Sequence, residues 1–273
     1  MKLPFVKHSI KLGLRALGLE VRRVKGAPYV RVGEKSVTPV DSQAAGLVLE
    51  LIGVSGVGKS TLLRYCMPHL RSAWIADDEF AASLFPNGIR FRPREISLDG
   101  VEAGVLQGYV KRKLKFDARL VTTDQRLASI SSHINRLRFH LWAEDEFPYG
   151  VVMNEGLVMN FGEELVNHVG ESDRIKSMLG RRLLVSLSCD DDGLILHRIR
   201  TRHREQPGHT GYMGLSDDEV VSCVQKQRKQ MSEWIDALEP HLGGVLRLNI
   251  TDGQSACVSS VLALVERAMK ERQ

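Results

Sequence analysis

One stretch of the sequence decides the fold: Gly53-Val54-Ser55-Gly56-Val57-Gly58-Lys59-Ser60, which fits the pattern GxxxxGK(S/T). The run Leu47–Ile52 before it is mostly apolar, as in a parallel strand that is covered on both faces. The segment Ser60–Leu70 after it has the apolar spacing of a helix. A glycine-rich loop between a strand and a helix is the context in which this pattern binds phosphate. The sequence therefore predicts a phosphate-binding loop at the end of a buried strand.

The chemistry of phosphate binding explains each residue type in this loop. Glycines let the backbone curl so that successive N–H groups point inward, and the helix that follows adds the positive end of its dipole. We expect Lys59 to bridge the β- and γ-phosphates of a nucleoside triphosphate and the Ser60 hydroxyl to ligate Mg²⁺. ATP and Mg²⁺ are the expected ligands. The predicted nucleotide-binding residues are Gly53, Ser55, Gly56, Val57, Gly58, Lys59, Ser60 and Thr61.

The rest of the chain alternates between strand and helix patterns. Further strands are predicted at Ser72–Ala76, Gly150–Met153, Leu183–Ser188 and Val245–Ile250. Helices are predicted at Ser60–Leu70, Asp99–Lys115, Thr122–Glu144, Gly162–Leu179, Asp190–Arg204, Ser216–Glu239 and Ser255–Lys270. This alternation predicts a three-layer α/β domain over residues 47–273, with a five-stranded parallel sheet and right-handed crossovers.

The first 46 residues differ from this core in charge. They hold nine Lys or Arg against three acids, whereas the whole chain has a net charge of only +5. A basic amphipathic helix over residues 3–19 and a small β-meander are predicted here. Three roles stay open: a cap or oligomer contact, peripheral contact with an anionic membrane, or nucleic-acid binding. Nucleic-acid binding is not expected, because Phe5 and Tyr29 alone supply aromatic rings.

The cysteine spacing and the hydropathy pattern indicate where in the cell the protein is found. Cys66, Cys189, Cys223 and Cys257 are far apart and form no pair at metal-ligand spacing, which argues against zinc and against a disulfide framework. No apolar run approaches the roughly 20 residues of a membrane span, and the start of the chain does not have the pattern of a signal peptide. The cytoplasm is therefore the predicted location.

Other motifs separate the classes of nucleotide-binding protein. A GTPase would carry an NKxD motif after a later strand, and the sequence has none. A large ring-forming ATPase would show an apolar strand ending in Asp-Glu, whereas here Val151–Met153 is followed by Asn154-Glu155. Residues 47–270 instead resemble the P-loop kinases of nucleosides, nucleotides and other small metabolites. The resemblance is carried by the phosphate loop, by acids after the second strand, by Asn154-Glu155-Gly156 after the third, and by the arginine-rich segment Leu183–Arg204.

In such kinases an arginine-bearing helix follows the fourth strand and leads into a lid, which the resemblance places at about residues 198–215. Arg198 and Arg202 are four residues apart and so share one helix face, from which both could reach a transferring phosphoryl group. The alternative is a solvated basic face that includes Arg200 and Arg204. The resemblance also places the loop Asn249–Gln254 beside the nucleobase, although turn residues are expected at any strand-to-helix junction.

Two acidic positions are candidates for chemistry. Asp77 and Asp78 end the second strand, on the edge of the sheet where ligands of parallel α/β folds gather, and either can act as general base for the acceptor hydroxyl. The alternative role for them is a helix N-cap. Glu155 is the acid nearest the place of a magnesium-binding carboxylate, because Asn154 stands where an Asp is usual. Alternatively, Glu155 binds substrate or faces solvent.

These residues together predict a phosphotransferase that moves the γ-phosphate of ATP to a hydroxyl or phosphate of a small-molecule acceptor, with Lys59, Asp77, Asp78, Arg198 and Arg202 as catalytic residues and Ser60 and Glu155 at the metal. The rival prediction is a regulatory or assembly ATPase, in which hydrolysis controls a protein or membrane partner. Nothing in the sequence identifies the acceptor.

Overall fold

The computed structural model describes residues 44–70, 73–76, 101–116, 149–205, 212 and 214–272, together with part of 127–141. The predicted basic segment 1–46 lies almost wholly outside these residues.

In the part of the chain that the structure describes, five parallel strands form one sheet. They are β1 (Val48–Ile52), β2 (Trp74–Ala76), β3 (Gly150–Met153), β4 (Arg182–Ser188) and β5 (Gly244–Asn249), in the order β2-β3-β1-β4-β5. In the register of the sheet, Val48 of β1 pairs with Val151 of β3 on one side and with Arg182 of β4 on the other. Because β1 is the central strand, it is buried along its whole length, as its apolar run predicts. The predicted five-stranded parallel α/β sheet is confirmed.

Helices flank the sheet and cover its apolar faces. They are α1 (Lys59–Leu70), α2 (Val101–Phe116), α3 (Leu157–His168), α4 (Asp173–Gly180), α5 (Asp192–Glu205), α6 (Asp217–Leu238) and α7 (Gln254–Lys270). The described residues between 127 and 141 are also helical. Helix α1 packs on α7, while α3 packs on α6 and α2. None of the helices described is both long enough and apolar enough to cross a bilayer.

The prediction of one helix over Gly162–Leu179 is wrong, because two helices occupy this region. Helix α3 starts at Leu157 and ends at His168, and α4 starts at Asp173. The side chain of Ser172 accepts a hydrogen bond from the backbone N–H of Ile175, at 3.2 Å, and so begins α4 as its N-cap. The early start of α3 has a different cause, a buried carboxylate described below.

Candidate functional site

The phosphate loop joins β1 to α1 and has the backbone that its glycines predict. Gly53, Gly56 and Gly58 all have positive φ angles, of 154°, 81° and 107°. A Cβ atom at Gly53 would lie 2.7 Å from the backbone oxygen of Leu187, at the end of β4. Gly53 is therefore required both by its φ angle and by the close approach of the neighbouring strand.

Lys59, the first residue of α1, lies under this loop. Its ammonium group donates hydrogen bonds to the carbonyl oxygens of Gly53, at 2.7 Å, and Val54, at 3.3 Å, and lies 3.7 Å from Glu155 Oε1. The Lys59 side chain is only 7% exposed. Burial lowers the pKa of Lys59 below its ordinary value, Glu155 opposes that shift, and the positive charge of Arg202 adds to it. A desolvated cation that faces a second cation is well suited to bind a polyanion.

A cavity of about 870 Å³ opens above the loop. Of the predicted nucleotide-binding residues, all except Gly53 line this cavity. Four cationic side chains reach it, from Lys59, Arg64, Arg198 and Arg202, and the only acidic side chain among its described lining residues is that of Glu155. The excess of positive charge makes the cavity a favourable place for phosphate groups.

Two of the four arginines of helix α5 line the cavity, and the other two lie outside it. Arg198 lines the cavity and donates a hydrogen bond to the backbone oxygen of Gly56, at 3.2 Å, while Arg202 lines the cavity one turn further along. Arg200 points elsewhere and donates to Asp217 Oδ1 and to the Leu215 backbone oxygen, both at 2.7 Å. Arg204 donates to Thr201 Oγ1, at 3.3 Å. The structure therefore brings Arg198 and Arg202 to the phosphate loop and leaves their two neighbours outside the cavity.

The turn after β3 lies beside the start of α1. Asn154 donates from Nδ2 to Ser60 Oγ, at 2.8 Å, and the Glu155 side chain is 52% exposed. Hydroxyl, amide and carboxylate oxygens are the ligands that Mg²⁺ prefers in proteins. No cluster of three or more His, Cys, Asp or Glu is found in the described part of the chain. The Ser60 hydroxyl and the Glu155 carboxylate are therefore oxygen ligands of the kind that could hold Mg²⁺ beside the phosphate loop.

Asp77 and Asp78, the predicted general bases, lie outside the described residues. The strand that precedes them, β2, ends at Ala76 and pairs with β3, which is followed directly by Asn154 and Glu155. The role of the two aspartates stays a prediction.

Sequence reasoning missed Glu50, which lies in the middle of β1 and is fully buried. Its carboxylate accepts hydrogen bonds from the backbone N–H groups of Leu157, at 2.9 Å, and Met159, at 3.0 Å, and so caps the first turn of α3. Arg182 of β4, also fully buried, lies 3.4 Å from it. Burial raises the pKa of Glu50, whereas Arg182 and the helix N–H groups oppose that shift. The only signal for this role is an acid within an apolar run, Leu47–Ile52.

Glu50 also explains the glycine that ends the turn. A Cβ atom at Gly156 would lie 2.4 Å from Glu50 Cδ. This position must therefore have no side chain if the Glu50 carboxylate is to reach the helix. The motif Asn154-Glu155-Gly156 thus depends on a residue about 100 positions earlier in the chain, on the adjacent strand.

The cavity is also lined by Arg64 of α1 and by Ile250, Gln254 and Cys257, which follow the end of β5. Ile250 and Gln254 belong to the loop that the resemblance places beside the nucleobase. Arg64 and Cys257 were missed, because a single residue on an otherwise ordinary helix gives no pattern in the sequence.

The strand order β2-β3-β1-β4-β5 and the phosphate loop between the central strand β1 and helix α1 define a P-loop NTPase fold. No family model matches the chain, and no curated protein matches it. Among solved structures, it is similar to a deoxyadenosine kinase from M. mycoides with dCMP and dCDP bound (TM-score 0.42, 11% identity, 81% of this chain and 100% of that chain covered). It is also similar to a gluconokinase from Sinorhizobium meliloti 1021 (TM-score 0.38, 13% identity, 83% and 95% covered). At these scores the likeness is distant, and the fold class follows from the sheet and the loop.

Proposed function

We propose that this protein is a magnesium-dependent phosphotransferase that moves the γ-phosphate of ATP to a hydroxyl or phosphate of a small-molecule acceptor. The observation that carries the proposal is the convergence of Lys59, Arg198 and Arg202 on one cavity at the phosphate loop. The transferring phosphoryl group spreads negative charge over several oxygens, and cations placed around it stabilise that charge. The two arginines come from a helix after β4, so they approach the loop from a different element than Lys59 does.

Each residue has a distinct part in this proposal. The N–H groups of residues 55–61 and the Lys59 ammonium group bind the phosphate tail, and Arg198 and Arg202 contact the group in transfer. Ser60 and Glu155 are the residues that would hold Mg²⁺, with Asn154 fixing the Ser60 side chain. When bound, Mg²⁺ would neutralise part of the negative charge on the phosphate groups. Asp77, with Asp78 next to it, is proposed to accept the proton of the acceptor hydroxyl.

The arginine helix provides a matched test of this proposal. Arg202→Ala removes a cation from the cavity, whereas Arg204→Ala removes the same side chain from the same helix outside the cavity. We expect Arg202→Ala to reduce phosphoryl transfer by roughly 10³, with a much smaller effect on ATP affinity. Arg204→Ala should transfer phosphate at the rate of the unaltered protein. Equal rates for the two variants would contradict the role given to Arg202.

The fate of the phosphate separates a kinase from a regulatory ATPase. A panel of small metabolites is incubated with the protein, Mg²⁺ and ATP labelled in the γ position, and both free phosphate and labelled acceptor are measured. A kinase should hydrolyse ATP slowly by itself and transfer label rapidly to one class of acceptor. Rapid hydrolysis without any acceptor, stimulated by a protein or by vesicles, would overturn the proposal in favour of the regulatory ATPase.

The candidate base is tested separately. Asp77→Asn should lower the rate of transfer far more than it lowers ATP affinity, because the carboxylate is needed only when the acceptor loses its proton. A fully active Asp77→Asn variant would remove Asp77 as base and leave Asp78 to be tested in the same way.

A further inference from the structure

Helix α5 lies directly against the phosphate loop along its first two turns. A Cβ atom at Gly56 would lie 3.3 Å from the backbone oxygen of Ile195 and 3.4 Å from Cγ1 of Ile199. Both isoleucines are buried, and Arg198 donates a hydrogen bond to the Gly56 backbone oxygen, at 3.2 Å. The part of α5 that ends at Ile199 is therefore fixed to the loop by apolar packing and by a hydrogen bond.

The rest of α5, residues 200–205, has no such packing. Ile199 is the last buried residue of the helix, and none of the side chains after it is buried. The last turn of a helix lacks partners for its carbonyl groups and opens easily unless other contacts hold it. Arg202 lies in this stretch, and its side chain forms no hydrogen bond within the described part of the chain. Its position at the cavity thus depends on the backbone of residues 200–205.

Arg200, which does not line the cavity, connects this stretch to helix α6. Its guanidinium group donates from Nε and Nη2 to Asp217 Oδ1, at 2.9 and 2.7 Å, and from Nη2 to the Leu215 backbone oxygen, at 2.7 Å. Leu215 and Asp217 flank Ser216, the N-cap of α6, which forms a capping box with Glu219. Arg200 therefore joins the end of α5 to a helix start that is itself held in place.

The start of α5 is tied to α6 independently of Arg200. Asp192 accepts hydrogen bonds from Arg228 Nη2, at 2.6 Å, and from Gln225 Nε2, at 2.7 Å. This contact and the packing on the phosphate loop both act on residues 192–199. Loss of the Arg200 contact should therefore leave the first half of α5 in place and release only the half that carries Arg202.

We propose that Arg200 is a positioning residue for phosphoryl transfer, because its contact with Asp217 and Leu215 holds the end of α5 so that Arg202 faces the phosphate loop. Arg200 itself touches neither nucleotide nor acceptor in this role. The catalytic consequence rests on the proposed function, since the effect on rate requires that Arg202 acts on the γ-phosphate.

A solvated basic helix face is the competing explanation, in which the Arg200 contact only adds stability at the surface. Asp217 is 66% exposed, and an exposed ion pair contributes little by itself. The two explanations differ in their dependence on Arg202. A general loss of stability acts whether or not Arg202 is present, whereas a positioning role acts through the Arg202 side chain alone.

The main test compares Arg200→Ala with Arg204→Ala, which removes the same side chain from the same helix without losing a contact to α6. The probe is Mg·ATP labelled in the γ position, whose slow hydrolysis transfers the phosphoryl group to water. At saturating ATP, Arg200→Ala should hydrolyse about three- to tenfold more slowly, the effect of losing one or two hydrogen bonds. Its Kd for Mg·ATP should change by less than about twofold. Equal rates for Arg200→Ala and Arg204→Ala would overturn the proposal.

A double variant separates positioning from a general loss of stability. In an Arg202→Ala background, Arg200→Ala should cause no further loss of rate, because the side chain that it positions is absent. The same fold-loss with and without the Arg202 side chain would overturn the positioning role.

The partner of Arg200 on α6 has its own matched control. Asp217→Ala removes the carboxylate that Arg200 binds, whereas Asp218→Ala removes the same charge from the same turn of α6 without touching that contact. Asp217→Ala should slow hydrolysis by a smaller factor than Arg200→Ala does, because the bond to Leu215 remains. In an Arg200→Ala background, Asp217→Ala should change nothing further. Fully additive effects, or equal rates for Asp217→Ala and Asp218→Ala, would contradict the proposal.

Hydrogen exchange gives a readout that needs no nucleotide. The amides of residues 202–205 should exchange about three- to tenfold faster in Arg200→Ala than in Arg204→Ala. Unchanged exchange there would overturn the inference even if the protein is a kinase. Conversely, faster exchange in a protein that neither hydrolyses ATP nor transfers its phosphate would contradict the proposed function and leave the anchoring of α5 by Arg200 intact.

Discussion

Replacing Glu50 with Gln tests how the central strand supports the site. The substitution keeps the size of the side chain and removes its charge, in a place where both Glu50 and Arg182 are completely buried. Two losses follow from the structure. Arg182 no longer faces a carboxylate at 3.4 Å, and an amide offers one acceptor oxygen where the carboxylate receives two backbone N–H groups, from Leu157 and Met159.

The magnitudes of the two losses add to a large fraction of the stability of a domain. Removing one partner of a buried ion pair costs about 3–5 kcal/mol, and leaving one buried N–H group without an acceptor costs about 1–3 kcal/mol. The free energy of unfolding should therefore fall by roughly 4–8 kcal/mol. The total free energy of unfolding of a typical domain is only about 5–15 kcal/mol. We expect Glu50→Gln to be folded marginally or not at all at 37 °C.

Urea denaturation followed by circular dichroism measures this loss. Glu163→Gln is the matched control, because Glu163 is a 47% exposed acid of α3 that lies 3.6 Å from Arg112, and an exposed pair contributes at most about 1 kcal/mol. The double variant Glu50→Gln/Arg182→Met removes both buried charges and should recover much of the loss. A change below about 1 kcal/mol in Glu50→Gln would refute the reasoning, as would a double variant less stable than the single one.

Three more predictions concern the phosphate loop and the metal. Phosphate binding should raise the lowered pKa of Lys59. ATP should therefore bind with full affinity below the Lys59 pKa of the free protein, and the affinity should fall as pH rises toward the Lys59 pKa of the complex. Calorimetry at alkaline pH should detect proton uptake on ATP binding, and Lys59→Arg should abolish that uptake. Asn154→Asp places a carboxylate beside Ser60 and should increase the ratio of ATP Kd without Mg²⁺ to Kd with Mg²⁺ by about tenfold, since Mg²⁺ prefers charged oxygens; an unchanged ratio in titrations with and without EDTA would place the metal elsewhere. Gly53→Ala should cost about 1–3 kcal/mol and abolish ATP binding, because its Cβ meets Leu187 at 2.7 Å; thermal melts should show no such loss for Gly170→Ala, where a Cβ meets nothing within 4 Å.

The parts of the fold that follow from local pattern could be predicted from the sequence. The apolar run of β1 and the phosphate pattern after it define the central strand, and the alternation of strands and helices gives the parallel sheet. Helical spacing alone placed Arg198 and Arg202 on one face, and both line the cavity. Local pattern failed at Gly170–Ser172, where the apolar spacing of a helix continues although the helix does not. Helix α3 ends at His168, and Ser172 caps the start of a separate helix, α4.

Residues that act through distant contacts could not be predicted. Glu50 is a single acid in an apolar run, and nothing near it in the sequence indicates that it reaches the N–H groups of α3 from β1. Such contacts depend on the register of the sheet, which brings residues together that are far apart in the sequence.

Calorimetric titration of the unaltered protein with Mg·ATP tests the central claim most directly. One equivalent of nucleotide should bind, and Lys59→Met, which keeps the length of the buried side chain and removes its charge, should bind none while remaining folded. If the folded, unaltered protein takes up neither ATP nor GTP in the presence of Mg²⁺, the loop is not a nucleotide site and the proposed transfer of phosphate is wrong.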